Sequence, residues 1–264
     1  MLAAERQARI LQEVQAKGAV RVSDLSRLLE VSDMTIRRDL DILASQNRLS
    51  KVHGGATVPS TLSTDEPGFE AKWQRETAEK EAIASAAAQL VRPGSAIGLS
   101  AGTTTWTLAH HLRHSPDLTV VTNSMRIAGV LHSGGPQAPN VVLTGGVRTP
   151  SDALVGSLAV TSLKLLHLDI VFLGVHGMDR DAGFTTPNLA EADTNQAFVA
   201  AGRQLVVLAD HTKWGTVGIS TIVPLDRADV LITDDGLAPD ALSALRETVG
   251  DVVVTHQGEG RAPS

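Results

Sequence analysis

Apolar residues recur at helical spacing through the first 46 positions and then give way to short apolar runs. Ile10, Leu11 and Val14 form one stripe, and Gly18 follows where such a helix stops. Leu25, Leu28 and Leu29 form a second inner face after Ser23, a residue type that caps helix N-termini. Ile36, Leu40 and Leu43 form a third, after a tight turn at Val31-Ser32-Asp33 in which Ser32 or Asp33 supplies the cap. The pattern predicts helices over 4–17, 23–30 and 34–46, with Met34, Arg37, Arg38 and Asp41 on the solvent side of the third. Residues 48–58 alternate loosely around Gly54-Gly55, as a β-hairpin does.

Residues 59–75 are polar and hold Pro59 and Pro67, the composition of a linker. Beyond Lys80 the texture changes. A helix is predicted over 82–91, stopped by Arg92-Pro93-Gly94. Apolar runs follow at 96–99, 118–122, 141–144, 169–175, 205–209, 229–233 and 251–255, with helical stretches between most of them. Buried runs alternating with helices predict a mostly parallel sheet covered on both faces. The expected fold class is therefore α/β, with an N-terminal winged helix-turn-helix over 1–58, the linker, an α/β domain over 76–255 and a tail over 256–264. Ligands of such sheets bind beyond the C-terminal strand ends, where this chain concentrates glycines and hydroxyls.

Composition narrows the setting. The chain has 264 residues, 42% of them apolar and 20% charged, and no cysteine. Disulfides and thiolate zinc sites are thereby excluded, and a reducing cytoplasm is the expected location. The N-terminus opens directly into helix-like sequence without an apolar leader core, and no apolar run is long enough for a membrane span, so no membrane partner is expected. The net charge of −6 is unevenly shared: residues 1–58 carry +2 and the remainder −8. A modestly basic head on an acidic body is compatible with a polyanionic partner, because binding follows the local field.

That partner is expected to be double-stranded DNA. A guanidinium grips phosphate or a guanine edge through two parallel bonds, which is the chemistry Arg37 and Arg38 offer on an exposed helix face. Ser32, Met34 and Thr35 stand at the start of that helix, where side chains point at base edges. Lys51, His53 and Gly54 belong to the hairpin, a wing for phosphate or the minor groove. An arginine pair alone is more often a solvated helix face; the order helix, helix, turn, arginine helix, Gly-Gly hairpin makes it a DNA reader.

The Thr35-Ile36-Arg37-Arg38-Asp39-Leu40 block followed by His53-Gly54-Gly55-Ala56 resembles the winged helix-turn-helix of DeoR-type bacterial transcriptional regulators. The resemblance implies a regulator, most often a repressor, of sugar-metabolism genes.

In the second half, Gly98-Leu99-Ser100-Ala101-Gly102-Thr103-Thr104-Thr105 follows a strand and opens a helix predicted over 106–112. Glycine admits close approach of an anion, and a helix N-terminus adds unpaired amides and positive potential. Similar turns at Thr122-Asn123-Ser124 and Thr144-Gly145-Gly146 end the next two strands. Glu191, at a helix start, offers a carboxylate to sugar hydroxyls; Lys213, in the Asp210–Gly215 segment after a strand, offers a cation to phosphate. Residues 76–255 resemble the DeoR-type sensor domain, similar in fold to ribose-5-phosphate isomerase. The resemblance implies a phosphorylated sugar effector held by Gly102, Thr103 and Thr104, with Asn123, Glu191, Asp210 and Lys213 nearby. Ser100, Thr105, Gly145 and His176 complete the candidate set.

The alternative is a sugar-phosphate isomerase with an appended head. Aldose–ketose isomerisation needs a carboxylate base. Where the isomerases carry an Asp-Gly-Ala-Asp-Glu segment, this chain has Leu173-Gly174-Val175-His176-Gly177, without those acids. No catalytic residue is assigned. No cofactor and no metal site is expected, since the histidines, including His110, His111, His114, His132 and His167, lack acidic support on one face. Self-association is expected, since one small head gives modest affinity and tethering raises effective concentration.

Overall fold

In the computed structural model, which describes residues 2–17, 19–45, 48–52, 54–57, 63–64 and 68–256, the chain divides into two units, Met1–Leu62 and Ser63–Ser264. His53 and the tail beyond His256 lie outside the described residues, as does most of 58–67.

The first unit runs α1 (Ala3–Lys17), β1 (Ala19–Arg21), α2 (Val22–Leu29), α3 (Asp33–Ser45), β2 (Ser50–Val52) and β3 (Gly55–Thr57). Its core gathers the predicted stripes, Ile10, Leu11, Val14, Leu25, Leu29, Ile36, Leu40 and Leu43, together with Val20, Val22, Leu49 and Ala56. Two details differ from the pattern. Leu28 is 46% exposed and Val22 takes the inner position instead, because α2 begins one residue earlier. Ser23 does not cap α2; the N-cap is Arg21, whose side chain makes no cap bond. At α3 the cap is as expected, with the Thr35 amide donating to Ser32 Oγ at 3.2 Å.

The hairpin is larger than predicted. β1 joins β3 antiparallel, giving the order β1-β3-β2. Gly55 is needed there, since a Cβ would stand 2.1 Å from the Val20 carbonyl oxygen. Buried Asp39 ties α3 to α1, accepting from Arg6 Nε at 2.5 Å and Gln7 Nε2 at 3.0 Å.

The second unit opens with α4 (Phe69–Trp73) and α5 (Thr77–Ala88). It continues through β4 (Ala96–Leu99), α6 (Thr103–Leu112), β5 (Thr119–Thr122), α7 (Met125–His132), β6 (Asn140–Leu143), β7 (Val147–Arg148), β8 (Leu154–Val155) and α8 (Ser157–Lys164). Then come β9 (Leu168–Gly174), β10 (Gly177–Asp179), β11 (Gly183–Thr186), α9 (Leu189–Ala201) and β12 (Gly202–Leu208). The chain ends with β13 (Ser220–Val223), β14 (Val230–Asp234), α10 (Pro239–Thr248) and β15 (Asp251–Thr255).

Seven strands form one parallel sheet in the order β15-β14-β12-β9-β4-β5-β6. Successive side chains alternate between its faces. Ile97, Leu99, Ile170, Phe172, Val206 and Leu208 pack under α5, α6 and α7, while Val171, Leu173, Leu205, Val207 and Leu231 pack under α8, α9 and α10. A small antiparallel sheet, β10-β11-β13, and the β7-β8 ribbon are added to this core. From β4 the chain winds outward to β5 and β6 on one side, and from β9 to β12, β14 and β15 on the other. The reversal falls between β4 and β9, where a crevice opens at the strand ends.

Part of the predicted linker is helical: α4 lies within 59–75, with Phe69 buried. Phe69 and Trp73 meet Trp106 of α6 edge-on at 5.7 and 5.5 Å, and the Arg126 guanidinium lies 4.2 Å over the Phe69 ring.

Candidate functional site

On the first unit, Arg37, Arg38 and Met34 are exposed on α3, and neither arginine is ion-paired with any described residue. Lys51 of β2 instead pairs with Asp41 on the same surface. Gly54 turns the hairpin with φ of 78°. Ser32 is occupied with Thr35 through both amide and hydroxyl. Helix α3 thus presents two guanidinium groups without an ion-pair partner among the described residues, which can grip phosphate or a base edge.

On the second unit a cavity lies at the reversal between β4 and β9. Its wall is Ala101–Thr104 after β4 and Gly174, Val175 and His176 after β9. Phe69 and Lys72 of α4, Ser151, Thr186, Pro187, Glu191, Asn195 and Lys213 complete the lining. Six of the eleven effector candidates are therefore brought together: Gly102, Thr103, Thr104, His176, Glu191 and Lys213. Thr103 and Thr104 begin α6, so their amides have no acceptor within the helix and are open to an anion. A Cβ on Gly102 would come within 3.0 Å of Thr105 Oγ1 and 3.7 Å of Gly174 Cα, so the two strand-end loops meet closely there.

The other five candidates lie behind the wall or beyond it. Ser100, fully buried, accepts from the Gly174 amide at 3.0 Å and so ties β4 to β9. Thr105, also buried, turns its hydroxyl inward to the Ser100 carbonyl at 2.7 Å. Asn123 braces the first loop, accepting from the Ala101 amide at 2.8 Å and donating to the Leu154 carbonyl at 3.0 Å. The Ala101 amide is thereby taken from any ligand. Gly145 is outside the lining; with Gly146 it enters β7, and a side chain on Gly146 would strike the Val155 carbonyl oxygen at 2.4 Å. Asp210 sits fully buried beside the cavity. Its Oδ1 accepts from the Thr212 amide and hydroxyl, while Oδ2 has no hydrogen-bond partner among the described residues and faces Lys213 Nζ at 3.9 Å.

Several neighbours carry no local sequence signal. Lys80 is 97% buried and donates to the carbonyls of Lys72 and Arg75, holding the C-terminal end of α4. Burial pushes its ammonium below the usual lysine range, partly offset by Asp210. Glu191, one turn into α9, receives the hydroxyls of Thr149 at 2.7 Å, Ser151, and Thr186 at 3.4 Å. Asn188 caps α9, which leaves Glu191 free of that duty. Asp152, with φ of 65°, pairs with both Arg126 and Arg148, and Arg126 continues to Glu70 of α4 at 2.9 Å. Among the described residues no group of three His, Asp or Glu side chains is arranged to hold a metal, and no helix is long and apolar enough to cross a membrane.

Comparison with known proteins gives this geometry its context. Residues 6–62 match the DeoR-like helix-turn-helix domain and residues 75–235 the DeoR C terminal sensor domain. The chain is 39% identical to the uncharacterized HTH-type transcriptional regulator YgbI of Escherichia coli (strain K12), covering 93% of this chain and 95% of that one. It is 31% identical to the glycerol-3-phosphate regulon repressor of the same organism, over 90% of this chain and 92% of that one. Ribose 5-phosphate isomerase A of Methanocaldococcus jannaschii superimposes on 53% of this chain and 55% of its own, with a TM-score of 0.39 and 17% identity, too distant to bear on activity. With both domains matched and near full-length relatives, the chain belongs to the DeoR family and is a DNA-binding transcriptional regulator, not an enzyme.

Proposed function

We propose that this regulator is a cytoplasmic repressor of sugar-metabolism genes, released from or locked onto its operator by a phosphorylated sugar. Residues 1–58 read the operator, 59–75 tether, and 76–255 sense. Arg37, Arg38, Met34 and Thr35 meet the major groove, and Lys51, His53 and Gly54 meet the backbone beside it. Lys51 must exchange Asp41 for phosphate, which costs little for an exposed pair.

The observation that carries the effector half is the cavity itself. The first amides of α6 and the ammonium groups of Lys72 and Lys213 bring two kinds of anion donor to one place, at the crevice where α/β sheets bind ligands. A relative named for a glycerol-3-phosphate regulon is consistent with a phosphate ester as the class. The buried Asp210 Oδ2 is suited to a sugar hydroxyl once Lys213 turns to phosphate. Because Phe69 and Lys72 belong to α4, a helix within the tether itself, an effector that touches them alters the element from which the reading head is hung. It does so only by its preference for one arrangement over another. Association of the second units places two heads on paired half-sites.

The test is titration of an operator complex, isolated from genomic fragments, with a panel of sugar phosphates, using parent protein, Lys213→Ala and Thr103→Val. One phosphate ester is expected to shift operator affinity in the parent and to act far more weakly on both variants. Variants that respond like the parent would place the pocket elsewhere.

A further inference from the structure

The cavity has a second pole whose chemistry is opposite to that of the lysines. Glu191 enters it from the first turn of α9 and is met by hydroxyls from two separate additions to the core. Thr149 and Ser151 belong to the loop between β7 and β8; Thr186 ends β11. All three are at least 92% buried. Thr149 and Ser151 both donate to Oε1, while Oε2 receives only the long 3.4 Å bond from Thr186.

A carboxylate has about four acceptor sites, two on each oxygen. Two donors fill Oε1. Oε2 keeps one open site and one weakly used. The three hydroxyl protons are spent on Glu191, so what this pole turns to a ligand is an acceptor surface around a negative charge. No described cation pairs with Glu191, so nothing there compensates a second anion. Bringing one up would set like charges together at one end of the cavity, which disfavours a doubly anionic ligand.

We infer that the Glu191 pole requires a hydrogen-bond donor from the effector, a hydroxyl or an amine, and excludes a second anionic group. This rests on the proposed phosphate end and adds the polarity of the whole ligand: one phosphate at the lysine and amide pole, and a donor-bearing, non-anionic end at Glu191. Bisphosphates and phosphorylated sugar acids are rejected for their second charge, not for their size.

The experiment uses full-length protein and calorimetric titration with matched probes. Fructose 1-phosphate, glucose 6-phosphate and glucosamine 6-phosphate carry donor ends; fructose 1,6-bisphosphate and 6-phosphogluconate carry a second anion. The parent is expected to bind at least one of the first group about tenfold or more tightly than its doubly anionic counterpart. Glu191→Gln removes the charge and keeps an acceptor, so it should shrink that ratio toward one while the monophosphate still binds. Equal binding of both classes by the parent overturns the inference and leaves the phosphate reading standing. A ratio unchanged in Glu191→Gln overturns it too. If that variant does not fold, the parent ratio decides alone. No binding by any phosphorylated probe overturns both readings together.

Discussion

Arg37 and Arg38 stand exposed on α3 while Lys51, one strand away, is paired with Asp41. The difference sets what each substitution does. Arg37→Ala or Arg38→Ala is expected to weaken operator binding by about 1–3 kcal/mol if the side chain reads a base, with relaxed sequence preference. If it meets phosphate alone, affinity falls evenly across sequences and the salt slope drops by about one. Fluorescence anisotropy against operator variants at several salt concentrations separates the two. Asp39 has a different place: it is buried against Arg6 and Gln7, and its loss strands a guanidinium at the α1–α3 contact. Asp39→Ala should lower the stability of the first unit by about 1–3 kcal/mol, read by thermal unfolding.

At the scale of elements, α4 is fastened at both ends. Arg126 holds its start through Glu70 and the Phe69 ring, and Lys80 holds its end. Phe69→Ala empties a buried site against Trp106 and should destabilise the second unit by about 3–5 kcal/mol in chemical denaturation. Another fastening depends on pH. His211 Nδ1 lies 2.7 Å from Asp234 Oδ2, joining the segment after β12 to the end of β14. The side-chain hydrogen bond with Asp234 raises the His211 pKa above the ordinary histidine value. For Asp234, burial pushes upward, but the bonds from His211 and the Gly236 amide bring the net value below the usual carboxylate range. Stability from the histidine is complete below its unfolded pKa and is lost as pH rises through the raised folded value; that from the aspartate is present above its unfolded pKa and is lost as pH falls through the lowered one. Unfolding midpoints should therefore decline as pH climbs above about 6.5, the unperturbed histidine value, and His211→Gln should flatten that decline.

What was legible in the sequence follows from how each element is buried. All seven strands of the large sheet showed as apolar runs, because the inner strands of a parallel sheet are covered on both faces and even the edge strands β6 and β15 kept apolar residues. The small sheet did not, since its strands, such as Gly177–Asp179, Gly183–Thr186 and Ser220–Val223, mix glycine and polar residues and form no apolar run, and the β7-β8 ribbon has only two residues per strand. Five-residue α4 was hidden in polar surroundings for the same reason. The threonine turn announced the cavity through its glycine and hydroxyls, yet Thr105 and Ser100 turned out to brace it from behind. Thr149 and Ser151 reach Glu191 only through tertiary folding, from 42 and 40 positions away, so no local motif pointed to them.

For the molecule as a whole, the charge division between a head of +2 and a remainder of −8 means that DNA attracts one part and repels the other. Raising salt should weaken operator binding along a straight line in log–log form, with a slope set by the few phosphates the head neutralises. The sheet itself ends in an open margin. Among the described residues β6 has a neighbour on one side only, and Val142 and Leu143 are 37% and 43% exposed along it. Backbone groups on such a rim accept any passing extended chain, and apolar side chains make the addition stick. Concentrated stocks should therefore scatter light progressively, and a single lysine in place of Val142 should quiet them, because a charged rim cannot be extended by its own copy.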